Sequence, residues 1–195
     1  WDVHHGNGTQ NIFYDRDDVL TISIHQEGYF PAGYSGLEDK GSGAGEGYNI
    51  NIPLIPGGGH DVYQFAIDKV AVPAIKKFNP DLIVIASGYD AGGFDPLGRM
   101  LLHSESYRLM TEKVMALSEE ICNKKLVVVH EGGYSETHVP FCVQSVVETL
   151  ADVRSDAIDP SLEMMKLFQP NNRAIKFQEE LLLEIKSMHK LTKNT

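Results

Sequence analysis

The sequence predicts an α/β fold of three layers, in which a mostly parallel β-sheet carries helices on both faces. Short aliphatic runs alternate with longer amphipathic stretches, and such runs are typical of parallel strands that are buried on both sides. Residues suited to metal binding and acid–base chemistry follow several of these runs, where the binding crevice of a parallel sheet lies. With 195 residues, 42% of them hydrophobic, the chain is large enough for one domain with a single core.

Four stretches rich in β-branched and aliphatic residues are expected to form strands. They are Val19–His25, Tyr48–Leu54, Leu82–Ala86 and Leu126–Val129. Between the first two lies a Gly-rich segment, residues 26–47, which also contains aromatic residues; a long loop of this kind is more often functional than idle. Gly57–Gly59 is expected to be a plain turn, because the Lys-Ser/Thr pair that a phosphate loop requires is absent.

Apolar residues at spacings of three and four predict the helices. The first long helix is expected to be capped by Asp61 and to reach Phe78 with a bend near Pro73. Further helices are expected at Tyr107–Ile121, Phe141–Leu150 and Arg173–Leu191, and a short one, capped by Thr9, at Gln10–Tyr14.

Charge and cysteine content narrow the classes of function. A net charge of −10 argues against a nucleic-acid surface and allows a cationic or amine-bearing substrate. No apolar run approaches the ~20 residues that span a bilayer, and no signal peptide is recognisable, so neither a membrane partner nor secretion is expected. Cys122 and Cys142 are interpreted as two reduced thiols, which favours the cytoplasm.

The strongest chemical pattern lies in the first nine residues of the chain. In an extended strand, Asp2 and His4 point to the same side, as two metal ligands would. A catalytic zinc takes three protein ligands from carboxylates and imidazoles and keeps one position open, although the same ligands also accept iron(II). Asp90, just beyond an aliphatic run, is the candidate third ligand. His5 alternates to the opposite face, where a buried, hydrogen-bonded histidine is expected rather than a catalytic base.

Three segments carry a resemblance to a known family and occur in that family's order. They are Asp2–Gln10, Ser87–Gly98 and Glu131–Tyr134. The chain resembles the zinc-dependent histone deacetylase superfamily from Trp1 to about Leu150, and its Glu-Gly-Gly-Tyr segment is closer to the class II branch and its bacterial amidohydrolase-like relatives. The resemblance implies the arginase/deacetylase fold, with a zinc ion held by Asp2, His4 and Asp90 at the C-terminal ends of the strands.

The resemblance also implies an activity, the metal-assisted hydrolysis of the amide of N-acetyl-lysine or a similar acylated amine. Tyr134 corresponds to the catalytic tyrosine that hydrogen-bonds the acyl oxygen and stabilises the oxyanion. The family's general base is a pair of adjacent histidines upstream of the zinc motif, and none precedes Trp1. Residues 1–195 are therefore expected to be the C-terminal portion of one deacetylase domain. The other half would be supplied in cis or as a separate chain, and homo-oligomers are allowed.

Further positions are implied by the resemblance alone. Phe30 matches an aromatic of the substrate tunnel, and Gly132 and Gly133 let the backbone approach the substrate closely. Leu97 matches a rim position that carries an acid in the polyamine-specific branch. A structural potassium site resembles the group formed by Asp2, His4, Ser23 and Ile24. A second potassium site resembles the group formed by Phe13, Arg16, Val19 and Tyr48.

Alternatives remain beside this interpretation. An acetylpolyamine amidohydrolase has the same chemistry but is disfavoured by Leu97, and an arginase-like manganese hydrolase needs more aspartates near the histidine. If the chain is complete, the absent base favours a non-catalytic metal-containing module that binds acyl-lysine. Phe30 could be a loop aromatic packed on the core, and Asp95 is expected to be a turn acid. The histidines outside the motifs are expected to be surface or supporting residues; they are His60, His103, His130, His138 and His189.

Overall fold

The computed structural model describes residues 1–191, which form two pairs of parallel strands among seven α-helices. The strands are β1 (Thr21–Gln26), β2 (Asn49–Leu54), β3 (Ile83–Ser87) and β4 (Leu126–His130). The helices are α1 (Asn7–Phe13), α2 (His60–Ala66), α3 (Val72–Phe78), α4 (Ser104–Cys122), α5 (Val139–Ala151), α6 (Leu162–Leu167) and α7 (Asn172–Met188).

Both strand pairs are parallel, which agrees with the predicted α/β class. Thr21 of β1 lies opposite Asn49 of β2, and Ile83 of β3 lies opposite Leu126 of β4. Within residues 1–191 no strand joins the two pairs, so the sheet is in two parts. Each pair leaves the hydrogen-bonding groups of its outer edges without a neighbouring strand.

Strand β2 lies inside the main core. All six of its residues are buried, and Ile52 is completely inaccessible. Val62 and Tyr63 of α2 and Leu182 of α7 belong to the same buried cluster. An aliphatic strand covered on both faces is what a parallel sheet between helical layers requires.

Strands β3 and β4 are covered on one face. Ile83 packs with Val114 and Leu117 of α4, whereas Val84 and Val127 are 58% and 46% exposed. Helix α4 packs closely on α5. A buried ion pair between Arg108 of α4 and Glu148 of α5, with 2.7 Å between nitrogen and oxygen, fixes these two helices to each other.

Helices α2 and α3 form one helical segment with a widened turn between them. Residues 67–71 adopt a π-helical turn, and Pro73 follows directly at the start of α3. Because Pro73 has no N–H group, the regular i→i−4 bond cannot form there, which favours the wider turn. The helix is thus irregular next to Pro73, where the sequence predicts a bend. Asn79, with φ of 56°, ends the segment in the left-handed conformation.

Some boundaries differ from the prediction. Residues 1–6 form a bend rather than a strand end, and α1 begins at Asn7 after Gly6, so Thr9 lies inside the helix. Asp61 is in the first turn of α2, which Gly59 precedes as N-cap. Helix α6 was not predicted, because six residues are too few to show helical periodicity.

Two findings bear on the surroundings of the protein. No helix in the part of the chain that the structure describes has the length and apolarity to cross a membrane. Cys122 and Cys142 are both buried and free. Burial raises the pKa of the Cys142 thiol, so this side chain is an inert thiol inside the core.

Candidate metal centre

Asp2, His4 and Asp90 converge at one point between the two strand pairs. Asp2 and His4 lie in the bend before α1, and Asp90 follows β3. The Nδ1 atom of His4 is 3.1 Å from Oδ1 of Asp2 and 3.0 Å from Oδ2 of Asp90. One ligand atom from each residue lies within 4.8 Å of the others, and within residues 1–191 this is the only such group of three. The structure thus brings together the three side chains that the sequence names as candidate ligands.

The local backbone explains how Asp2 and His4 share a face without forming a strand. The N–H of His4 donates to Oδ1 of Asp2, at 2.8 Å, and this bond closes the bend around Val3. Val3 is fully buried, and its carbonyl accepts a hydrogen bond of 2.8 Å from the N–H of Gln26 in β1. The bend is thus attached to β1, with both polar side chains directed to the centre.

Asp90 is the buried member of the group. Its Oδ1 accepts a hydrogen bond of 2.7 Å from the N–H of Val3, whereas its Oδ2 has no hydrogen-bond partner among the described residues. Burial, followed by repulsion from Asp2, raises the pKa of Asp90 to about 7. A buried carboxylate with one oxygen that lacks a donor, next to a second carboxylate, is an unfavourable arrangement unless a cation neutralises it.

The donor set fits a divalent metal ion. Bonds of about 2.0–2.2 Å to zinc place neighbouring tetrahedral ligands roughly 3.3 Å apart. The observed distances of 3.0 Å and 3.1 Å from His4 Nδ1 to the two carboxylates are close to that separation. Two carboxylates and one imidazole are ligands that zinc and iron(II) both accept. The residues present therefore could hold the ion that the sequence predicts.

Two glycines allow the backbone to approach the centre closely. A side-chain carbon at Gly88 would collide with Asp2, and one at Gly132 would collide with the carboxylates of both Asp90 and Asp2. The N–H of Gly132 also donates to Oδ2 of Asp2 at 2.8 Å. At Gly132 the backbone therefore lies close to both carboxylates, whereas the expected approach to the substrate stays a prediction. Gly133 has φ of +139°, a conformation that disfavours any side chain.

Tyr134 stands at the accessible side of this centre. Its side chain is 50% exposed. Partial burial, followed by the negative charges of Asp90 and Asp2, raises the pKa of the Tyr134 hydroxyl above its ordinary value. The hydroxyl therefore keeps its proton at neutral pH and is available as a hydrogen-bond donor. Its backbone N–H donates to Oδ2 of Asp95 at 2.6 Å.

Two aromatic rings flank His4. Tyr29 stacks on the imidazole with ring centroids 5.8 Å apart and an interplanar angle of 20°. Phe30 meets the same ring edge-on, also at 5.8 Å, and remains 58% exposed. Phe30 is therefore not packed away in the core. Leu97 is 44% exposed on the loop that follows Asp90. Tyr29 was missed from the sequence, although its position beside Phe30 in the Gly-rich segment was the signal that could have found it.

His5 has the structural role that the sequence predicts. It is buried, and its Nε2 lies 3.1 Å from Oε1 of Gln10 and 3.0 Å from Oδ1 of Asn51. Burial lowers the pKa of His5, so the ring stays neutral. The side chain belongs to a polar network between α1 and β2. Asp95 makes the predicted turn, because its Oδ1 accepts a hydrogen bond of 2.8 Å from the N–H of Leu97.

The residues named for potassium are only partly adjacent to the centre. Ser23 and Ile24 lie in β1, where the Ser23 hydroxyl accepts a hydrogen bond of 3.2 Å from the N–H of Gly6. In the second group, the guanidinium of Arg16 lies over the ring of Phe13 and pairs with Asp18. Both potassium sites stay predictions.

The other histidines divide into buried and exposed side chains. His130 is exposed at the end of β4, and His60 is half-buried at the start of α2, where it stacks on His103. His103 is buried at the start of α4, and burial lowers its pKa to about 4. His138 and His189 are buried too, and burial lowers the pKa of both, to about 4 for His189. None of these side chains belongs to the metal-ligating group among the described residues.

An α/β fold that brings an Asp-His-Asp group, two close glycines and a protonated tyrosine to the ends of parallel strands defines a candidate metallohydrolase. Residues 1–150 match the family described as the histone deacetylase domain. The chain belongs to the histone deacetylase superfamily and has its α/β fold.

Individual relatives agree with this assignment. The chain is 55% identical over 185 residues to the histone deacetylase-like amidohydrolase of Pseudomonas aeruginosa, covering 95% of this chain and 49% of that protein. It is 41% identical over 160 residues to a probable deacetylase of Archaeoglobus fulgidus, covering 81% of this chain and 44% of that protein. The crystal structure of the HDA15 HD domain superposes with a TM-score of 0.78 at 33% identity, covering 98% of this chain and 51% of that one. The chain thus spans about half the length of these relatives.

Proposed function

We propose that this chain supplies the metal ligands and the oxyanion-stabilising tyrosine of a zinc-dependent deacetylase that hydrolyses N-acetyl-lysine or a similar acylated amine. The convergence of Asp2, His4 and Asp90, with one buried carboxylate oxygen left without a donor, is the observation that carries the proposal. The names of the relatives support the same class of reaction.

The chain's own residues have distinct parts in this reaction. When bound by Asp2, His4 and Asp90, a zinc ion would act as Lewis acid and lower the pKa of water. Tyr134 keeps its proton and donates it in a hydrogen bond to the acyl oxygen as negative charge develops there. Gly132 leaves room beside the two carboxylates, and Phe30 offers an exposed ring next to His4 for the alkyl chain of the substrate.

The general base is proposed to come from outside these 195 residues. His5 is buried and hydrogen-bonded to Gln10 and Asn51, so it has no access to the metal centre. The chain covers 49% of the Pseudomonas relative, and the rest of the domain is the proposed source of the base, in cis or as a separate chain.

The open face of β3–β4 is the proposed contact surface for that remaining half. Val84 lies opposite Val127, and Ala86 lies opposite Val129, so these side chains form one stripe on the exposed face. Val84, Val127 and Val129 are 58%, 46% and 44% exposed. Parallel strands are ordinarily covered on both faces. A native mass measurement on the whole protein would distinguish a half-domain on this surface from a second copy of the chain.

The rim favours an acyl-lysine over a polyamine. By resemblance, position 97 corresponds to an acid in the polyamine-specific branch, where it would attract a second ammonium group, and here it is an exposed apolar Leu97. We therefore expect an acetyl-lysine peptide to be hydrolysed faster than an acetylpolyamine. Leu97→Glu should reduce the difference between the hydrolysis rates of the acetyl-lysine peptide and the acetylpolyamine.

The decisive experiment uses the whole protein loaded with zinc and a fluorogenic acetyl-lysine peptide. Tyr134→Phe should lower kcat by about 10²–10³-fold, because one oxyanion donor is lost, without loss of bound zinc. Tyr29→Phe is the matched control, since it removes a hydroxyl from another ring near His4 and should change kcat little. Asp90→Asn should reduce zinc content, measured by elemental analysis. Parallel loading with iron(II) would show which ion supports turnover.

Zinc binding without turnover by the whole protein would refute this function. A protein that bound acetyl-lysine peptides under those conditions would instead be a metal-containing binding module. The two buried free cysteines agree with the proposed location in the reducing cytoplasm.

A further inference from the structure

We propose that Asp95 is a positioning residue for Tyr134, and that its carboxylate joins the backbone N–H groups of Tyr134 and of the rim residue Leu97 into one rigid unit. This inference rests on the proposed function, because it assigns a cause to the placement of the catalytic tyrosine.

The geometry of Asp95 carries the inference. Its side chain is only 6% exposed. Oδ2 accepts a hydrogen bond of 2.6 Å from the N–H of Tyr134, and Oδ1 accepts one of 2.8 Å from the N–H of Leu97. Among the described residues no Lys, Arg or His pairs with this carboxylate. Both hydrogen bonds involve a charged acceptor, and such bonds are roughly twice as strong as neutral ones.

A turn acid alone would explain only half of this arrangement. The bond to Leu97 spans two residues and closes the local turn. The bond to Tyr134 spans 39 residues and connects the loop after β3 to the segment after β4. One buried side chain therefore fixes the spacing between two loops that carry functional residues.

Among the described residues, Tyr134 itself is held by its hydrogen bond to Asp95, and the other bonds nearby are made by its neighbours. Before it, the backbone is held at Gly132, whose N–H donates to Asp2 and whose carbonyl accepts from the N–H of Tyr89 at 2.8 Å. After it, Ser135 begins the turn into α5 through its carbonyl. The Tyr134 side chain is half exposed, and its hydroxyl bonds to no residue that the structure describes. The direction of the ring therefore depends on the backbone that Asp95 holds.

A double-mutant cycle on the zinc-loaded whole protein tests this role. Asp95→Asn keeps the shape of the side chain but offers one acceptor oxygen in place of two, and its NH₂ group then faces a backbone N–H. We expect kcat for an acetyl-lysine peptide to fall about 10-fold with little change in KM, less than the about 10²–10³-fold loss expected for removal of the hydroxyl itself. In the Tyr134→Phe background, Asp95→Asn should have almost no further effect on kcat.

Control variants separate positioning from general destabilisation. Glu148→Gln changes a carboxylate of similar burial, 7% exposed, whose partners are Arg108, Gln144 and Ser155. It should lower the melting temperature and leave kcat unchanged. Asp95→Ser keeps a short acceptor for the Leu97 turn and loses the reach to Tyr134, so it takes the place of Asp95→Asn if that variant does not fold.

The outcomes distinguish the inference from the function on which it rests. A kcat loss that disappears in the Tyr134→Phe background supports the positioning role. An equal loss in both backgrounds, or a loss matched by Glu148→Gln, would overturn the role of Asp95 while leaving the deacetylase function intact. Absence of turnover by the unmodified protein would overturn both.

Discussion

The two strand pairs of this chain differ in how much of each strand is buried. In β1–β2, every residue of β2 is buried between the bend at Val3 and the helices α2 and α7. In β3–β4, one face packs on α4 and the other presents a stripe of valines to the surface. Strand β2 and the second half of β1 have the burial of strands inside a parallel sheet, whereas β3–β4 have that of a sheet covered on one side only.

The candidate metal centre lies where these two regions meet. Asp2 and His4 are attached to β1, and Asp90 and Tyr134 follow β3 and β4. Two of the hydrogen bonds between the regions are accepted by the carboxylates proposed to bind the metal, since Asp90 accepts from the N–H of Val3 and Asp2 accepts from the N–H of Gly132. The comparison teaches that the side chains proposed to bind the metal also connect the β1–β2 region to the β3–β4 region by hydrogen bonds.

The largest expected effect is on the free energy of unfolding, and it tests the difference in burial between β2 and β3. Ile52→Ala in β2 should lower the free energy of unfolding by about 2–5 kcal/mol, because it leaves a cavity in a closed core. Val84→Ala in β3 should cost less than about 0.5 kcal/mol, as surface changes generally do. Chemical denaturation of both variants measures the difference. Equal costs in the isolated chain would contradict the contrast between the two regions. A greater cost of Val84→Ala in the whole protein would support a cover on β3–β4.

A second prediction concerns the carboxylates at the junction. Because burial and Asp2 raise the pKa of Asp90 to about 7, the folded protein resists ionisation that the unfolded chain undergoes near pH 4. Stability without metal should therefore fall as the pH rises from about 4 to 7 on account of this group. Asp90→Asn should stabilise the metal-free protein by about 1–3 kcal/mol at pH 8 and abolish its stabilisation by zinc. Thermal unfolding with and without zinc measures both effects, and a destabilised metal-free variant would contradict the assignment.

A third prediction addresses the helices that pack beside β3–β4. Hydrogen bonds from Ser155, Arg108 and Gln144 lower the pKa of Glu148 to about 2. The contribution of the Glu148 carboxylate to the free energy of unfolding should be fully present above about pH 4.5 and lost as the pH falls towards 2. Glu148→Gln should cost about 1–2 kcal/mol at pH 7. The difference from the unmodified protein should shrink in acid; a constant difference from pH 7 to pH 3 would show that ionisation of Glu148 is unimportant.

The smallest expected effect lies in β1. His25 is completely buried, and burial lowers its pKa to about 4. In the folded protein His25 stays unprotonated, whereas in the unfolded chain it takes up a proton below about pH 6.5. The free energy of unfolding therefore falls as the pH decreases from about 6.5 towards 4. Between pH 6.5 and 5.5, the free energy of unfolding of His25→Asn should fall by up to about 1 kcal/mol less than that of the unmodified protein. Parallel denaturation curves at the two pH values measure it, and an unchanged pH slope would disprove the role of His25.

Prediction from sequence succeeded where the pattern was local. The spacing of Asp2 and His4, the aliphatic run before Asp90 and the helical periodicity of α4 all lie within short windows. The irregular turn before Pro73 follows from the missing N–H of that residue. The failures were local as well: α6 was too short for periodicity, and Thr9 and Asp61 proved to lie inside helices whose first residues precede them.

Other features could not be read from the chain because they depend on distant contacts. The stacking of Tyr29 on His4 requires the Gly-rich segment to fold back over the bend. The bond from Tyr134 to Asp95 joins two loops that are adjacent only because β3 and β4 pair. The same pairing decides which valines are exposed.

The sequence by itself determined the residue types of the candidate metal centre, the α/β class and most of the helices, because side-chain chemistry and periodicity depend on residues that are close together in the chain. Only the tertiary structure decided that one oxygen of Asp90 lacks a donor, that His5 is hydrogen-bonded to Gln10 and Asn51, and that one face of β3–β4 is exposed to solvent. The physical reason is that burial, hydrogen-bond satisfaction and pKa depend on which distant segments pack together.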